Sequence, residues 1–413
     1  MEKRPSLKSV VIIISLAIVA IIVLAFVALA IASKKPVAAF YGISEANQKN
    51  IVSVLQTTYT RRNKKSLPYE IITLNSEVSL KKALKESKKP DLLFIYGGMN
   101  ADYATLQVAK KHGGFAKDIL QGMTTSVRMA APVSGGKITA VPLLIDHYEI
   151  DVNRAKFDSA SISEINLLSD LEEFARLTQA STMAPMVFAA GDDVMLINAF
   201  AALTEAVSGR GAVDSVAEKV RLSIASGKSS QTAFYNILLD VTANGGEWYE
   251  STQLFKKWIQ MNLLPRNIFQ MKLKDVRAFM ESDLTAVSML TLSEHRATPR
   301  NTVSKYSSSF IPGTTTDGNR NFTAPIIYAI PLKKGKIPAA SVALLANSLQ
   351  TSLSNATGLA PVQANCGVPD IQSDDVRYWV AASGVPMVPF SEAAFTNKPN
   401  RTSFAEALRS ILR

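Results

Sequence analysis

The sequence predicts an α/β protein with two lobes joined by hinge crossings and preceded by one N-terminal transmembrane helix. Three observations predict it: a charge-free apolar run at residues 10–32, alternating strand and helix patterns from residue 37 onward, and a length of 413 residues. That length exceeds one ordinary domain of roughly 100–200 residues and suits two lobes plus a short extra segment. Hydrophobic residues at 47% and charged residues at 19% allow most of the chain to fold around cores.

The apolar run reads VVIIISLAIVAIIVLAFVALAIA, with Ser15 as its only polar side chain. At about 1.5 Å per helical residue it is long enough to cross a hydrocarbon core of about 30 Å. Lys3, Arg4 and Lys8 precede it and Lys34 and Lys35 follow, so flanking charge sets its orientation only weakly. Ala30-Ile31-Ala32 has the small-x-small form of a cleavage site. The run nevertheless exceeds the roughly 7–15 residues of a secretory h-region, so an uncleaved signal anchor is expected in preference to a cleaved signal peptide. The single cysteine, Cys366, does not follow this run, which excludes a lipid anchor there. No second run of this kind occurs, so the chain is not itself a transporter pore.

Strands are expected at residues 37–41, 69–74 and 91–95, each followed by helical spacing, at 45–62, 79–86 and from Asn100 onward. Such alternation argues for a mostly parallel sheet with helices on both faces. Gly135-Gly136-Lys137 makes a turn, and residues 138–153 then run extended through Asp146-His147, as a crossing between lobes would. Helices are expected at 168–179, 192–208, 214–225, 229–243, 250–262 and 273–281, broken by Gly245-Gly246, and a strand at 285–290. Residues 297–322 read as a loop or second crossing. A strand at 324–330 and helices at 338–352, 372–382 and 402–413 complete the chain. The expected division is 1–36 for the cytoplasmic tip and anchor, 37–145 plus about 312–353 for lobe 1, and about 146–311 plus 354–413 for lobe 2.

The net charge of +11 is scattered in twos and threes, without a basic stripe interleaved with aromatics, so no nucleic-acid partner is expected. The positive field suits attraction of an anionic ligand. One cysteine permits neither an intramolecular disulfide nor a cysteine metal cluster. None of His112, His147 and His295 has a second histidine or cysteine at ligand spacing, so no metal site is expected. Gly135-Gly136-Lys137 lacks the leading Gly and the Ser or Thr of a phosphate loop, and no G-x-S-x-G occurs. The pairs Asp192-Asp193 and Glu172-Glu173 read as solvated helix residues, so neither an enzyme nor a cofactor is expected.

Five stretches carry a family resemblance: PDLLFI at 90–95 before Tyr96-Gly97, GKITAVP at 136–142 leading to Asp146 and Asn153-Arg154, PMVFAAGD at 185–192, FMESDLTAVSM at 279–289 and TGLAPV at 357–362. In this order and spacing they resemble the extracellular solute-binding proteins of ABC importers, in the carbohydrate-type, maltose-binding-like branch. Ser282 stands where that family has Gly, and Val194 and Met195 follow Asp192-Asp193 where it often has a stacking aromatic. The resemblance implies a two-lobed periplasmic-binding-protein-like fold, a sugar or oligosaccharide held between the lobes, no catalysis, ABC permease subunits as partners and a monomer. With the anchor, it places the chain in a bacterial cell membrane with its C-terminal bulk outside the cytoplasm. A cleft at strand ends draws on Tyr41, Ser44, Tyr96, Gly97 and Asn100. The crossing offers Asp146 and His147, and the second lobe offers Asp192, Asp193, Gly246, Trp248 and Arg320.

Each candidate also has a plainer role. Tyr96 suits strand-end packing, Asp146 a turn cap, His147 a satisfied hinge residue, Asp192 an N-cap and Trp248 the core. Competing functions follow: a degenerate membrane-anchored scaffold with an interaction or sensory role, and an extracytoplasmic hydrolase, for which no nucleophile–base pair is visible.

Overall fold

In the computed structural model, residues 35–63, 69–315, 318–321, 323–334, 336–368 and 388–413 are described. The anchor expected at 10–32 and the helix expected at 372–382 lie outside them. Among the described residues no helix is long and apolar enough to cross a membrane.

Short apolar runs become strands buried on both faces, apart from the half-exposed edge strand Glu70–Thr73. β1 (Val37–Tyr41), β2 (Glu70–Thr73), β3 (Leu92–Tyr96), β6 (Val141–Ile145), β11 (Ile326–Pro331) and β12 (Ala360–Pro361) form one sheet in the order β12-β6-β11-β3-β1-β2. β1 pairs in parallel with β2 and β3, whereas β11 is antiparallel to β3 and β6, and β12 to β6. The expectation of a mostly parallel sheet therefore holds for the first half only. The cause is connectivity: β11 and β12 return from the other lobe rather than through a local crossover helix. On one face Phe40 and Phe94 stack with ring centroids 4.8 Å apart and pack with Ile51, Leu349 and Leu353. On the other, Ala39, Leu93 and Ile95 meet Leu80, Ala83, Ala104 and Val108.

The second lobe holds β7 (Tyr148–Asn153), β8 (Met186–Phe188), β9 (Val287–Thr291) and β10 (Tyr306–Phe310) in the order β10-β7-β9-β8. A hairpin of β4 (Val133–Ser134) and β5 (Lys137–Ile138) hangs from the first lobe. The helical region expected between 168 and 281 is observed as Leu168–Leu177, Asp193–Ser208, Arg210–Ala225, Gln231–Val241, Tyr249–Gln260 and Leu273–Glu281. Their inward faces share one core with Phe390, Phe395 and Phe404 of the C-terminal helices.

Two boundaries need correction. The single helix expected at 338–352 is two, Lys336–Ala343 and Asn347–Thr357. Between them Leu344 and Leu345 take i−3 backbone bonds to Ser341 and Val342, and both leucines enter the core. The first lobe's return segment also runs past residue 353, because β12 pairs with β6 at Ala360 and Pro361. A two-residue strand leaves no periodic signal.

Candidate functional site

β1, β2 and β3 run in parallel, so their C-terminal ends open on one edge, where α/β sheets place ligands. Facing that edge is the second lobe's C-terminal part, the helices Phe390–Ala394 and Lys398–Leu412. Between them lies a cavity of about 230 Å³. Tyr41, Ser76, Tyr96, Gly97, Gly98 and Asn100 line it from the first lobe, and Val194, Glu392, Phe395 and Arg401 from the second. The sequence-predicted Tyr41, Tyr96, Gly97 and Asn100 thus meet in one place.

The lobes touch around this cavity. Asn100 Nδ2 donates to the Thr396 carbonyl at 3.2 Å, and its Oδ1 accepts from the Leu80 amide at 3.0 Å. Tyr41 donates its hydroxyl to the Val78 carbonyl at 2.6 Å. The Lys398 amide donates to the Glu77 carbonyl at 2.9 Å, and Arg401 Nη2 to the Ser76 carbonyl at 3.4 Å. Gly98 has φ +132°, and a Cβ there would lie 2.5 Å from the Glu392 carbonyl oxygen, so only glycine allows this approach.

Burial sets the electrostatics. It pushes the Tyr41 phenol up to about 12, against the opposing pull of Arg401. It also raises the Glu392 carboxyl, with hydrogen bonding from Ser391 and the charge of Arg401 acting the other way. Arg401 Nε is buried without a hydrogen-bond partner. A cavity holding an acid, a guanidinium, a phenol and a carboxamide can hydrogen-bond a small polar molecule from several sides.

Asp146 and His147 sit at the crossing instead. Asp146 Oδ1 accepts from the amides of His147 at 2.9 Å and Ser293 at 3.0 Å, and Oδ2 from Ser293 Oγ at 2.6 Å. Tyr96 adds a further hydrogen bond, and burial still raises this carboxyl. Asp146 therefore ties the end of β3, the crossing and the helix Leu292–Arg296 together. His147 is buried and its imidazole is pushed down to about 4 by desolvation, which keeps it neutral near pH 7.

The remaining candidates lie elsewhere. Ser44 lines a second, more open interlobe groove of about 500 Å³ with Asn47, Arg277, Glu294, Arg296 and Asn355. Asp192 accepts from the Leu273 amide at 3.0 Å and pairs with Lys272 at 3.1 Å. Asp193 holds Arg409 at 2.8 Å and Thr402 at 2.7 Å, so both acids fasten helix termini. Trp248 is a correction: it is fully buried, edge-on to Phe200 and Phe390 at 5.5 and 5.3 Å. Gly246 is a tight turn before it, bonded to the Ala243 carbonyl at 2.8 Å. Arg320 lies over the Phe310 ring at 5.3 Å. None of these six lines the cavity.

Sequence reasoning missed Glu392, Phe395 and Arg401. One signal was present. Asn397 caps the last helix by accepting from the Asn400 amide at 3.0 Å, with Pro399 in the first turn, so the helix begins at Lys398 rather than 402. Sequence spacing also failed to unite His295 with Glu149 and Asp151, which meet in a buried cluster able to hold a metal ion.

No protein-family model matches the chain, and no curated protein matches it in sequence. Solved structures do match in fold. The bacterial solute receptor AcbH, described with an exclusive preference for β-D-galactopyranose, aligns with a TM-score of 0.63 at 12% identity, over 91% of this chain and 99% of that one. The chain has the fold of carbohydrate-type solute receptors. Apo RafE of Streptococcus pneumoniae aligns at 0.62 and 13% identity, covering 92% and 96% of the two chains. Maltose-bound MalE3 of T. maritima aligns at 0.59 and 12%, covering 91% and 100%. These similar structures are binding proteins.

Proposed function

We propose that this chain is the extracytoplasmic solute-binding component of an ABC import system. It captures a small polar solute, a sugar by preference, between its lobes and delivers it to a membrane permease without catalysis. The observation that carries the reading is the interlobe cavity, with hydrogen-bonding groups from both lobes at the ends of parallel strands. Its volume of about 230 Å³ lies below the roughly 300–1,000 Å³ of common ligand pockets, which favours a monosaccharide-sized solute over an oligosaccharide in this closed arrangement. The apolar run at 10–32 supports a single-pass anchor; on this reading the lobes lie outside the bacterial cytoplasm and the chain acts as a monomer. Hinge opening and closure would admit and release the solute.

The test is a thermal-shift and calorimetric screen of the full chain in detergent against monosaccharides, oligosaccharides, polyols and amino acids. A solute at one hundred times its Kd stabilises the fold by about 2.7 kcal/mol if it binds the native state alone. A saturable shift with one sugar class, lost on Arg401→Ala, supports the reading. A second reading, a binding-protein scaffold kept for an interaction role, is favoured by the commitment of Tyr41 and Asn100 to backbone groups of the protein itself. A folded chain that responds to no solute in the panel supports that second reading.

A further inference from the structure

We infer that Glu149, Asp151 and His295 bind one first-row divalent metal ion, with Zn²⁺ the best fit, inside the second lobe beside the hinge. The site follows from strand period and topology. Glu149 and Asp151 are two apart on β7 and so share a face, while Tyr148, Ile150 and Val152 take the other and enter the core. β9 and β10 flank β7, both antiparallel to it, so the connection between them has to cross over β7. The helices Leu292–Arg296 and Arg300–Val303 make that connection and bring His295 onto the two carboxylates.

The geometry suits an ion. His295 Nδ1 lies 3.5 Å from Glu149 Oε1 and contacts Asp151 Oδ1, and one ligand atom from each residue falls within 4.8 Å of the others. Tetrahedral Zn²⁺ with bonds of about 2.0–2.2 Å to nitrogen and oxygen separates its ligand atoms by about 3.4 Å. Glu149 and Asp151 are 0% exposed and His295 is 1%. An independent observation points the same way: Asp151 Oδ2 is buried without a hydrogen-bond partner. Ser308 Oγ donates at 2.6 Å to the other oxygen, Oδ1, and so orients the carboxylate while leaving Oδ2 for a ligand.

Charge argues for a cation. Two carboxylates side by side in a dry interior are costly unless neutralised. A divalent ion discharges both acids at once. An imidazole beside two carboxylates selects first-row transition ions over Mg²⁺ and Ca²⁺, which prefer oxygen alone. The ion would clamp β7 to the helix Leu292–Arg296, the pair that Asp146 and Ser293 already join at the crossing. Such a closed site is filled as the chain folds.

The experiment produces the full chain in zinc-supplemented medium, purifies it in detergent, dialyses it against Mg²⁺ and measures bound metal by mass spectrometry. One zinc ion per folded chain is expected, lost in both Asp151→Asn and His295→Gln. Chelation at the unfolding temperature is expected to lower Tm by several degrees in the wild type and to leave the variants unmoved. A folded, metal-free wild type overturns the inference, as does zinc retained equally by both variants. Where the variants fail to fold, zinc-edge X-ray absorption on the wild type decides. One imidazole with carboxylate oxygens supports the site, and two or more imidazoles, a sulfur ligand or an all-oxygen shell overturns it.

Discussion

On the first-lobe wall of the cavity, Tyr41 and Asn100 commit their polar atoms to backbone groups at Val78, Leu80 and Thr396. On the second-lobe wall, Arg401 keeps a buried Nε without a partner and Glu392 carries a carboxyl raised by burial. The first wall is a fixed surface, built from strand ends and satisfied by backbone groups of its own lobe at Val78 and Leu80 and of the facing lobe at Thr396. The second brings polar capacity that a ligand can use. The difference teaches that the residues placed by strand topology and the residues available for recognition are different sets.

The sharpest way to break this arrangement is at the contact between the walls. Gly98→Val puts a β-branched residue at φ +132° and a Cβ 2.5 Å from the Glu392 carbonyl oxygen. Backbone strain of this kind costs about 1–3 kcal/mol, before any clash is counted. The variant is expected to unfold at lower denaturant and to show a larger radius of gyration by small-angle scattering as the lobes part. An unchanged scattering curve would mean that the walls do not meet this closely in solution.

A paired measurement sharpens the contrast. Arg401→Ala removes a charge-assisted hydrogen bond of about 1.5–3 kcal/mol, so solute affinity is expected to fall about 10- to 150-fold with little loss of stability. Tyr41→Phe leaves the Val78 carbonyl without its donor, which costs about 1 kcal/mol of stability and leaves affinity nearly unchanged. Calorimetric titration and chemical denaturation on both variants read the two quantities. The opposite pattern would exchange the roles assigned to the two walls.

How much of this was legible in the sequence follows from the same physics. Strand–helix alternation and the end residues Tyr41, Tyr96 and Asn100 were readable because short continuous apolar runs closed by glycine are local signals. The crossing at Asp146 was readable as extended chain, but its partner Ser293, 147 residues away, was not. Gly245-Gly246 ahead of Trp248 suggests a loop close to a ligand, yet Phe200, Phe390 and Phe404 enclose the indole, two of them from the far end of the chain. Glu392 and Arg401 were missed because a polar residue on a terminal helix looks the same whether it faces solvent or another lobe. The cluster of Glu149, Asp151 and His295 was hidden for a related reason: a crossover helix, not sequence spacing, makes the ligands neighbours.

The smallest expected effect concerns protons. Glu392 has a folded pKa raised above its ordinary 4.5, mainly by desolvation, so the folded chain holds that proton more tightly than the unfolded one. The resulting stability is full below about 4.5 and is lost as pH rises through the folded value. His147 has the opposite sign. Its folded value of about 4 lies below the ordinary 6.5, so its contribution is present above 6.5 and is lost as pH falls toward 4. Between these limits the cavity acid and the hinge imidazole act in opposite directions. Glu392→Gln removes one side of that balance. Its Tm is expected to gain on the wild type as pH rises from 4.5, by a modest amount because the side chain is only partly shielded from water. A difference in Tm that stays flat with pH would place the Glu392 carboxyl in solvent, and the second wall would then lack the half-buried acid on which its contrast with the first depends.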